Sequence, residues 1–149
     1  MLKRLLVLCV AVCLSVLFVL NAGAGNPDVE LKIKVNKDGF SDATGRLIDA
    51  PFHVKKGASV RVTFLFDEKT SEVLRDLMRA AEEQHGFVHA FALHNGKEIV
   101  AETKELGLKN RQATLEFIAG DKGAQNYKIY CTLMCFGMEH LHDLTIEVG

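Results

Sequence analysis

The chain has 149 residues, of which 48% are hydrophobic and 25% are charged, and its formal net charge at pH 7 is −1. A chain of this length fits one domain, and a nearly neutral charge lacks the basic excess that binding to nucleic acid requires. The composition therefore predicts a single domain without a nucleic-acid partner.

The N-terminal segment has the pattern of a secretory signal. Two cations, Lys3 and Arg4, precede an uncharged apolar run from Leu5 to Leu20, and an A-x-A cleavage motif follows. We expect residues 1–24 to be a signal peptide and residues 25–149 to form a periplasmic or secreted domain. If the segment were retained, it would act as a short membrane anchor and bring the domain to the membrane. Cleavage would change the formal charge from −1 to −3 by removing the two cations.

The first strands are indicated by alternating apolar and charged residues. Val29 to Val35 alternates strictly, as a half-buried strand does, and a turn follows at Asn36 to Gly39. Residues 40 to 50 show little periodicity and are predicted to be a loop. From Pro51 to Phe66 the pattern predicts a hairpin of two strands with a tight turn at Gly57.

The hydrophobic period changes between Thr70 and His85. Apolar residues recur there at helical spacing and form one stripe: Val73, Leu74, Leu77, Met78 and Ala81. Gly86 follows at the place where a left-handed C-cap belongs. The pattern predicts one helix that packs against the sheets as a connecting element.

Alternation returns from Phe87 to His94, with His89, Phe91 and Leu93 on one face of the predicted strand. Four further strands are predicted at Glu98 to Ala101, Gln112 to Ile118, Tyr127 to Cys131 and Leu144 to Val148. Many short strands separated by turns, together with one inserted helix, predict an all-β fold of the sandwich type.

The loop between the last two predicted strands is rich in metal-binding side chains. Cys131 and Cys135 lie four residues apart, and further donors follow closely: Met138, Glu139, His140 and His142. Thiolate, thioether and imidazole donors suit copper, whereas carboxylate-rich loops suit calcium or magnesium. Two cysteines this close in an exported chain form either a local disulfide or a metal site, and a disulfide would need none of the other donors.

Several segments resemble the cupredoxin family, most closely its dinuclear-copper branch, the electron-entry domain of cytochrome c oxidase subunit II and nitrous oxide reductase. The resemblance is carried by Val88 to Leu93, Thr114 to Ile118, the Cys131 to Cys135 loop and Thr145 to Val148. It covers roughly residues 29 to 148. The resemblance implies a Greek-key β-sandwich that holds copper.

The resemblance also implies a ligand set. In that branch one histidine comes from an H-x-F strand, two cysteines bridge two coppers, and a backbone carbonyl midway between the cysteines is a weak ligand. Carried over, these roles fall on His89, on the bridging pair Cys131 and Cys135, and on the carbonyl oxygen of Leu133.

The residues after Cys135 depart from the family pattern. A histidine and a methionine are expected four and seven residues after the second cysteine, where this chain has Glu139 and His142. Either the loop carries one extra residue and His140 is the ligand, or Glu139 and His142 replace the usual pair. A mononuclear site with one thiolate, His89, His140 and a weak axial donor is the alternative, so the site holds one or two coppers.

The sequence thus predicts an exported copper-binding protein that transfers electrons to or from a redox partner protein. Two alternatives stay open: a copper chaperone, storage or delivery protein that passes copper to an accepting protein, and a metal-free binding module with a Cys131–Cys135 disulfide. No nucleophile-plus-base pattern stands out, so an enzyme is not expected.

Overall fold

The computed structural model describes residues 26–36, 39–66, 83, 89–107, 109–133, 141 and 144–149. The described residues form nine strands and one short 3-10 helix, Asp121–Gly123. The strands are β1 (Val29–Asn36), β2 (Gly39–Ser41), β3 (Phe52–Val54), β4 (Ser59–Phe66), β5 (Phe91–Asn95), β6 (Glu98–Glu102), β7 (Gln112–Ile118), β8 (Asn126–Cys131) and β9 (Leu144–Val148).

The strands form two sheets. One has the order β2-β1-β4-β7 and the other has the order β3-β9-β8-β5-β6. The pairs β1–β4 and β3–β9 are parallel, and the remaining pairs are antiparallel. Along the described strands the chain changes sheet five times: between β2 and β3, β3 and β4, β4 and β5, β6 and β7, and β7 and β8. These crossings make a sandwich of two mixed sheets, so the predicted all-β sandwich is confirmed.

The core lies between the two sheets, and alternate residues of β7 and β8 point into it. In β7 the side chains of Ala113, Leu115 and Phe117 are buried, while the residues between them are exposed. Three phenylalanines join the sheets, because Phe91 of the second sheet stacks on Phe64 with ring centroids 4.3 Å apart and lies 5.5 Å from Phe40. This aromatic cluster fixes the two sheets against each other beside the strand that carries His89.

The predicted hairpin from Pro51 to Phe66 is wrong, although both of its strands exist. β3 pairs with β9 and β4 pairs with β1 and β7, so the two strands belong to different sheets. The turn between them is held from outside: the Lys56 amide donates to the Gly149 carbonyl oxygen at 3.0 Å, and the Gly57 amide donates to the Ala119 carbonyl oxygen at 2.7 Å. Alternation and a glycine turn identify two strands but do not specify their partners.

The segment predicted as a loop at residues 40 to 50 begins with part of a strand. β2 pairs with β1, Phe40 is buried, and Ser41 forms an isolated bridge with Leu47. The predicted helix from Thr70 to His85 lies outside the described residues except for Glu83, which is helical and exposed. The predicted signal segment, residues 1–24, also lies outside them. Within the described part of the chain, no helix is long and apolar enough to cross a membrane.

Tyr127 closes the end of the sandwich at which β8 begins. Its side chain is 1% exposed, and its hydroxyl accepts a hydrogen bond from the Gly120 amide at 3.0 Å and donates to the Ile118 carbonyl oxygen at 3.4 Å. Gly120 adopts a left-handed φ of 76° in this turn. The hydroxyl therefore provides hydrogen-bond partners for main-chain groups of the turn between β7 and β8.

The first prediction concerns this hydroxyl. The substitution Tyr127→Phe leaves the ring in place but removes the acceptor of the buried Gly120 amide, so we expect the free energy of unfolding to fall by about 1–3 kcal/mol. Urea denaturation of the metal-free domain measures the change. An unaltered urea midpoint would show that the turn does not depend on this hydrogen bond.

Candidate metal site

His89 lies in the core, two residues before β5 begins at Phe91. Its side chain is 1% exposed. The imidazole ring lies 5.9 Å from the Phe91 ring at an interplanar angle of 19°, and 6.1 Å from the Phe66 ring. The sequence places histidine where an apolar residue would fit the alternation, and the structure buries it there among aromatic rings. The stacking of the His89 ring on Phe91 agrees with the prediction that these two residues share one face of the strand.

The main chain of His89 is fixed on one side by Leu106. The His89 amide donates to the Leu106 carbonyl oxygen at 2.9 Å, and the Leu106 amide donates back to the His89 carbonyl oxygen at 2.8 Å. Leu106 itself is fully buried. This reciprocal pair extends the sheet edge past the end of β6, so the backbone of His89 is hydrogen-bonded on this side as that of a strand residue is.

Cys131 is the last residue of β8 and is 5% exposed. It stands opposite Phe91 in the antiparallel β5–β8 register, and residues opposite each other in a sheet project to the same face. Phe91 points into the core, so the thiol does too. The adjacent strands thus bring His89 and Cys131 to the same face of the sheet, two positions apart.

The two predicted ligands meet inside the sandwich. The Sγ atom of Cys131 lies 3.6 Å from Nδ1 of His89. A metal ion that binds sulfur at about 2.3 Å and nitrogen at about 2.0 Å with tetrahedral angles holds these two atoms about 3.5 Å apart. A sulfur donor and an imidazole nitrogen suit copper or zinc rather than calcium or magnesium. The pair therefore fits a soft or borderline metal ion.

The first residue of the loop after β8 is tied to the histidine strand. The carbonyl oxygen of Ala90 accepts hydrogen bonds from the Thr132 amide at 2.7 Å and from the Thr132 hydroxyl at 3.0 Å. This double contact joins the residue after Cys131 to the residue after His89. It fixes the separation of the two candidate ligands through main-chain geometry.

Leu133 and Leu141 connect the loop to the core. Leu133 is partly buried and packs against the core cluster, whereas Leu141 is fully buried within it. The predicted weak ligand, the carbonyl of Leu133, thus belongs to a residue near the site. Leu141 lies in sequence between the two candidate histidines of the loop, so the core anchors the chain at that point.

The other predicted ligands, Cys135, Glu139, His140 and His142, lie outside the described residues. Among residues that the structure does describe, no group of three or more histidine, cysteine, aspartate or glutamate side chains could hold a metal ion. The described part of the site is therefore the His89–Cys131 pair with its apolar surroundings.

Two histidines that were not expected to bind metal lie elsewhere on the described surface. His53 is exposed on β3, and its Nδ1 atom lies 3.3 Å from the Glu147 carboxylate. His94 is partly exposed and contacts the Tyr130 ring edge-on, with centroids 5.1 Å apart. Both histidines therefore serve as control positions for substitutions of His89.

Shifted pKa values are found on surface groups. Hydrogen bonds from the amide and hydroxyl of Ser59 lower the pKa of the Asp28 carboxyl. A hydrogen bond to the Glu98 carboxylate raises the pKa of the Lys122 ammonium. Ser59 begins β4, whereas Phe66, which contacts His89, ends it, so the Asp28 pair is at the other end of the sandwich.

Sequence reasoning missed three residues that build the site: Leu106, Thr132 and Leu141. Leu106 and Thr132 act through the main chain or a short hydroxyl contact, and neither carries a pattern that marks such a role. Leu141 had a signal, because one aliphatic residue between two histidines in a polar loop indicates an anchor in the core.

The chain was compared with known proteins. No protein-family model and no curated protein matches it. Among solved structures, auracyanin B is 13% identical, with 84% of this chain and 91% of that chain covered and a TM-score of 0.53. Auracyanin A, titled a "blue" copper protein from Chloroflexus aurantiacus, is 15% identical, with 80% and 98% covered and a TM-score of 0.49. Rusticyanin from Thiobacillus ferrooxidans is 16% identical, with 83% and 79% covered and a TM-score of 0.49.

At these identities the similarity concerns the fold. The match to auracyanin B spans most of both chains, and it agrees with the two mixed sheets described above. The chain has a cupredoxin-like β-sandwich fold.

Proposed function

We propose that this protein binds copper between the two sheets of its sandwich and transfers electrons. The observation that carries the proposal is the buried contact of 3.6 Å between the Cys131 sulfur and Nδ1 of His89. A thiol and an imidazole lie together in a core that is mostly apolar. This donor pair suits copper, and its place in a cupredoxin-like fold is the one that the sequence resemblance implies.

The proposed ligand set combines this pair with donors from the following loop. Cys135 and one or both of His140 and His142 complete the site, with Glu139 and the Leu133 carbonyl oxygen as further candidates. Two bridging cysteines favour a dinuclear copper centre, as in the branch that the sequence resembles. Replacing the expected methionine with a harder donor at position 142 favours Cu(II) and lowers the reduction potential.

The mechanism follows from rigidity. Bound copper supplies a one-electron couple between Cu(I) and Cu(II). The protein holds His89 through Leu106, and it ties Cys131 to the histidine strand through Thr132. Ligands held in this way would move little between Cu(I) and Cu(II), so the reorganisation energy of electron transfer would be small. Because the pair is buried, solvent is excluded from the proposed site, which favours electron transfer over a distance to a redox partner protein.

We propose an exported location, periplasmic or secreted, from the N-terminal signal pattern.

Copper reconstitution of the reduced domain tests the proposal. We expect copper to bind in preference to zinc, with an intense thiolate charge-transfer band, and to raise the melting temperature, because a ligand that binds only the native state stabilises it. Two coppers per chain, with hyperfine structure from two equivalent nuclei in the electron paramagnetic resonance spectrum, would establish the dinuclear centre. One copper would establish the mononuclear alternative, and no bound copper would overturn the proposal.

A further inference from the structure

A short segment after β6 lies along the strand that carries His89. We call it the strap and define it as Thr103–Gly107. Its first residue makes two contacts with Phe91: the Phe91 amide donates to the Thr103 hydroxyl at 2.9 Å, and the Thr103 amide donates to the Phe91 carbonyl oxygen at 2.8 Å. One residue before the end of the strap, Leu106 makes its reciprocal pair with His89.

The strap takes the place of β6 beside His89, because β6 ends at Glu102. Within the described sheet, the β5–β6 register begins at Ala92 and Glu102, and it does not extend to His89. On the other edge, the backbone from Ala90 to His94 faces β8 and Thr132. The two Leu106 hydrogen bonds therefore hold the His89 main chain on the edge that β6 leaves open.

The far end of the strap is held by Asn110, which makes one main-chain and one side-chain hydrogen bond to it. The Gly107 amide donates to the Asn110 carbonyl oxygen at 2.8 Å, and the Asn110 side-chain amide donates back to the Glu105 carbonyl oxygen. Asn110 itself is exposed, so its side chain adds no apolar contact to the core. Its two bonds close the turn directly after Leu106.

We propose that Asn110 is a positioning residue for His89, acting through the strap on the imidazole that faces Cys131. The inference rests on the proposed function, because it assigns to Asn110 a part in setting the metal site. Without the Asn110 side chain, the Glu105 carbonyl loses its hydrogen bond and the turn loosens. The turn fixes the position of Leu106, and the Leu106 main chain fixes the position of the His89 main chain through two hydrogen bonds. An exposed residue outside the site thereby controls the geometry of a buried ligand.

The test uses the variant Asn110→Ala and a matched control, Asp42→Ala. Asp42 is also a polar side chain that closes a turn, because its carboxylate accepts from the amides of Thr44 and Arg46 at 2.8 and 3.1 Å. That turn follows β2, in the other sheet. Any loss of stability common to removing a turn-closing side chain appears in both variants.

Two readouts separate the roles. In the metal-free protein, we expect amide hydrogen exchange at His89 and Leu106 to become at least about tenfold faster in Asn110→Ala and to stay unchanged in Asp42→Ala. In the copper-loaded protein, we expect Asn110→Ala to weaken copper binding by about 10- to 100-fold, the range typical of residues that orient ligands, and to shift the thiolate band. The control should keep the parent affinity and spectrum.

Each other outcome overturns the inference. Unchanged exchange at His89 in Asn110→Ala would show that the strap does not depend on Asn110. Faster exchange with unchanged copper affinity and spectrum would show that the strap does not position the ligand. Equal effects in both variants would indicate general destabilisation. If the parent protein bound no copper, the proposed function would fail and the positioning role with it, while the exchange data would still show whether Asn110 holds the strap.

Discussion

The substitution His89→Ala is expected to weaken copper binding by more than about 100-fold. Changes in residues that only orient a ligand cost about 10- to 100-fold, and loss of the ligand itself should cost more. His89 is buried, and its Nδ1 atom lies 3.6 Å from the Cys131 sulfur, so no water or surface histidine replaces it easily. Competition with a copper chelator of known affinity measures the loss.

Two histidines provide the matched controls. His53 is exposed on β3 and His94 is partly exposed on β5, and neither is placed in the site, so His53→Ala and His94→Ala should keep the parent affinity. The variant His89→Gln keeps a polar side chain of similar length and guards against a folding defect. Parent-like copper affinity and spectrum in His89→Ala would show that the assigned ligands are wrong. Cys131 and Cys135 would then form a disulfide or a two-thiol copper clip.

The substitution Phe91→Ala is expected to lower the free energy of unfolding by about 3–5 kcal/mol, as for other buried phenylalanines. Its ring is fully buried and stacks on Phe64, and it also contacts the rings of Phe40 and His89. The cavity therefore opens where the two sheets meet, beside the site. Urea denaturation of the metal-free domain measures this loss.

Phe117→Ala is the matched control for Phe91→Ala. Phe117 is 7% exposed and packs on Tyr127, with ring centroids 4.9 Å apart, at the opposite end of β8 from Cys131. Both variants should lose stability, but only Phe91→Ala should also change the copper spectrum, because only Phe91 stacks on His89. A loss of less than about 1 kcal/mol in Phe91→Ala would contradict the packing described for the core.

Strand positions were predicted well from the sequence where one face is buried and the other is exposed. The bounds of β7 agree with the prediction because Ala113, Leu115 and Phe117 alternate with polar residues. Strand partners were predicted less well, and the hairpin from Pro51 to Phe66 was wrong because a hydrophobic period defines a buried face but no neighbour. β2 was missed because three residues are too few to show a period.

The candidate site was also predicted only in part: its ligands were predicted, but the residues that hold them were not. His89 and Cys131 were predicted as ligands from residue type and a family resemblance, and the fold brings them together. The residues that hold them could not be predicted, since Leu106 acts through backbone atoms that every residue has. Thr132 acts through a hydrogen bond whose partner, Ala90, is distant in sequence. The assignments of Cys135, Glu139, His140 and His142 stay predictions.

The position of β9 has a consequence for the order in which the protein assembles. β9 lies between β3 and β8, and Phe52 pairs in parallel with Ile146. β3 therefore cannot pair within its sheet until β9 is available. Contacts between residues so far apart in sequence slow folding, because a long loop must close before they form. During synthesis, β3 therefore has no partner strand in its sheet until β9 has emerged. The second sheet is completed only then, and its apolar strands need protection from aggregation until that point.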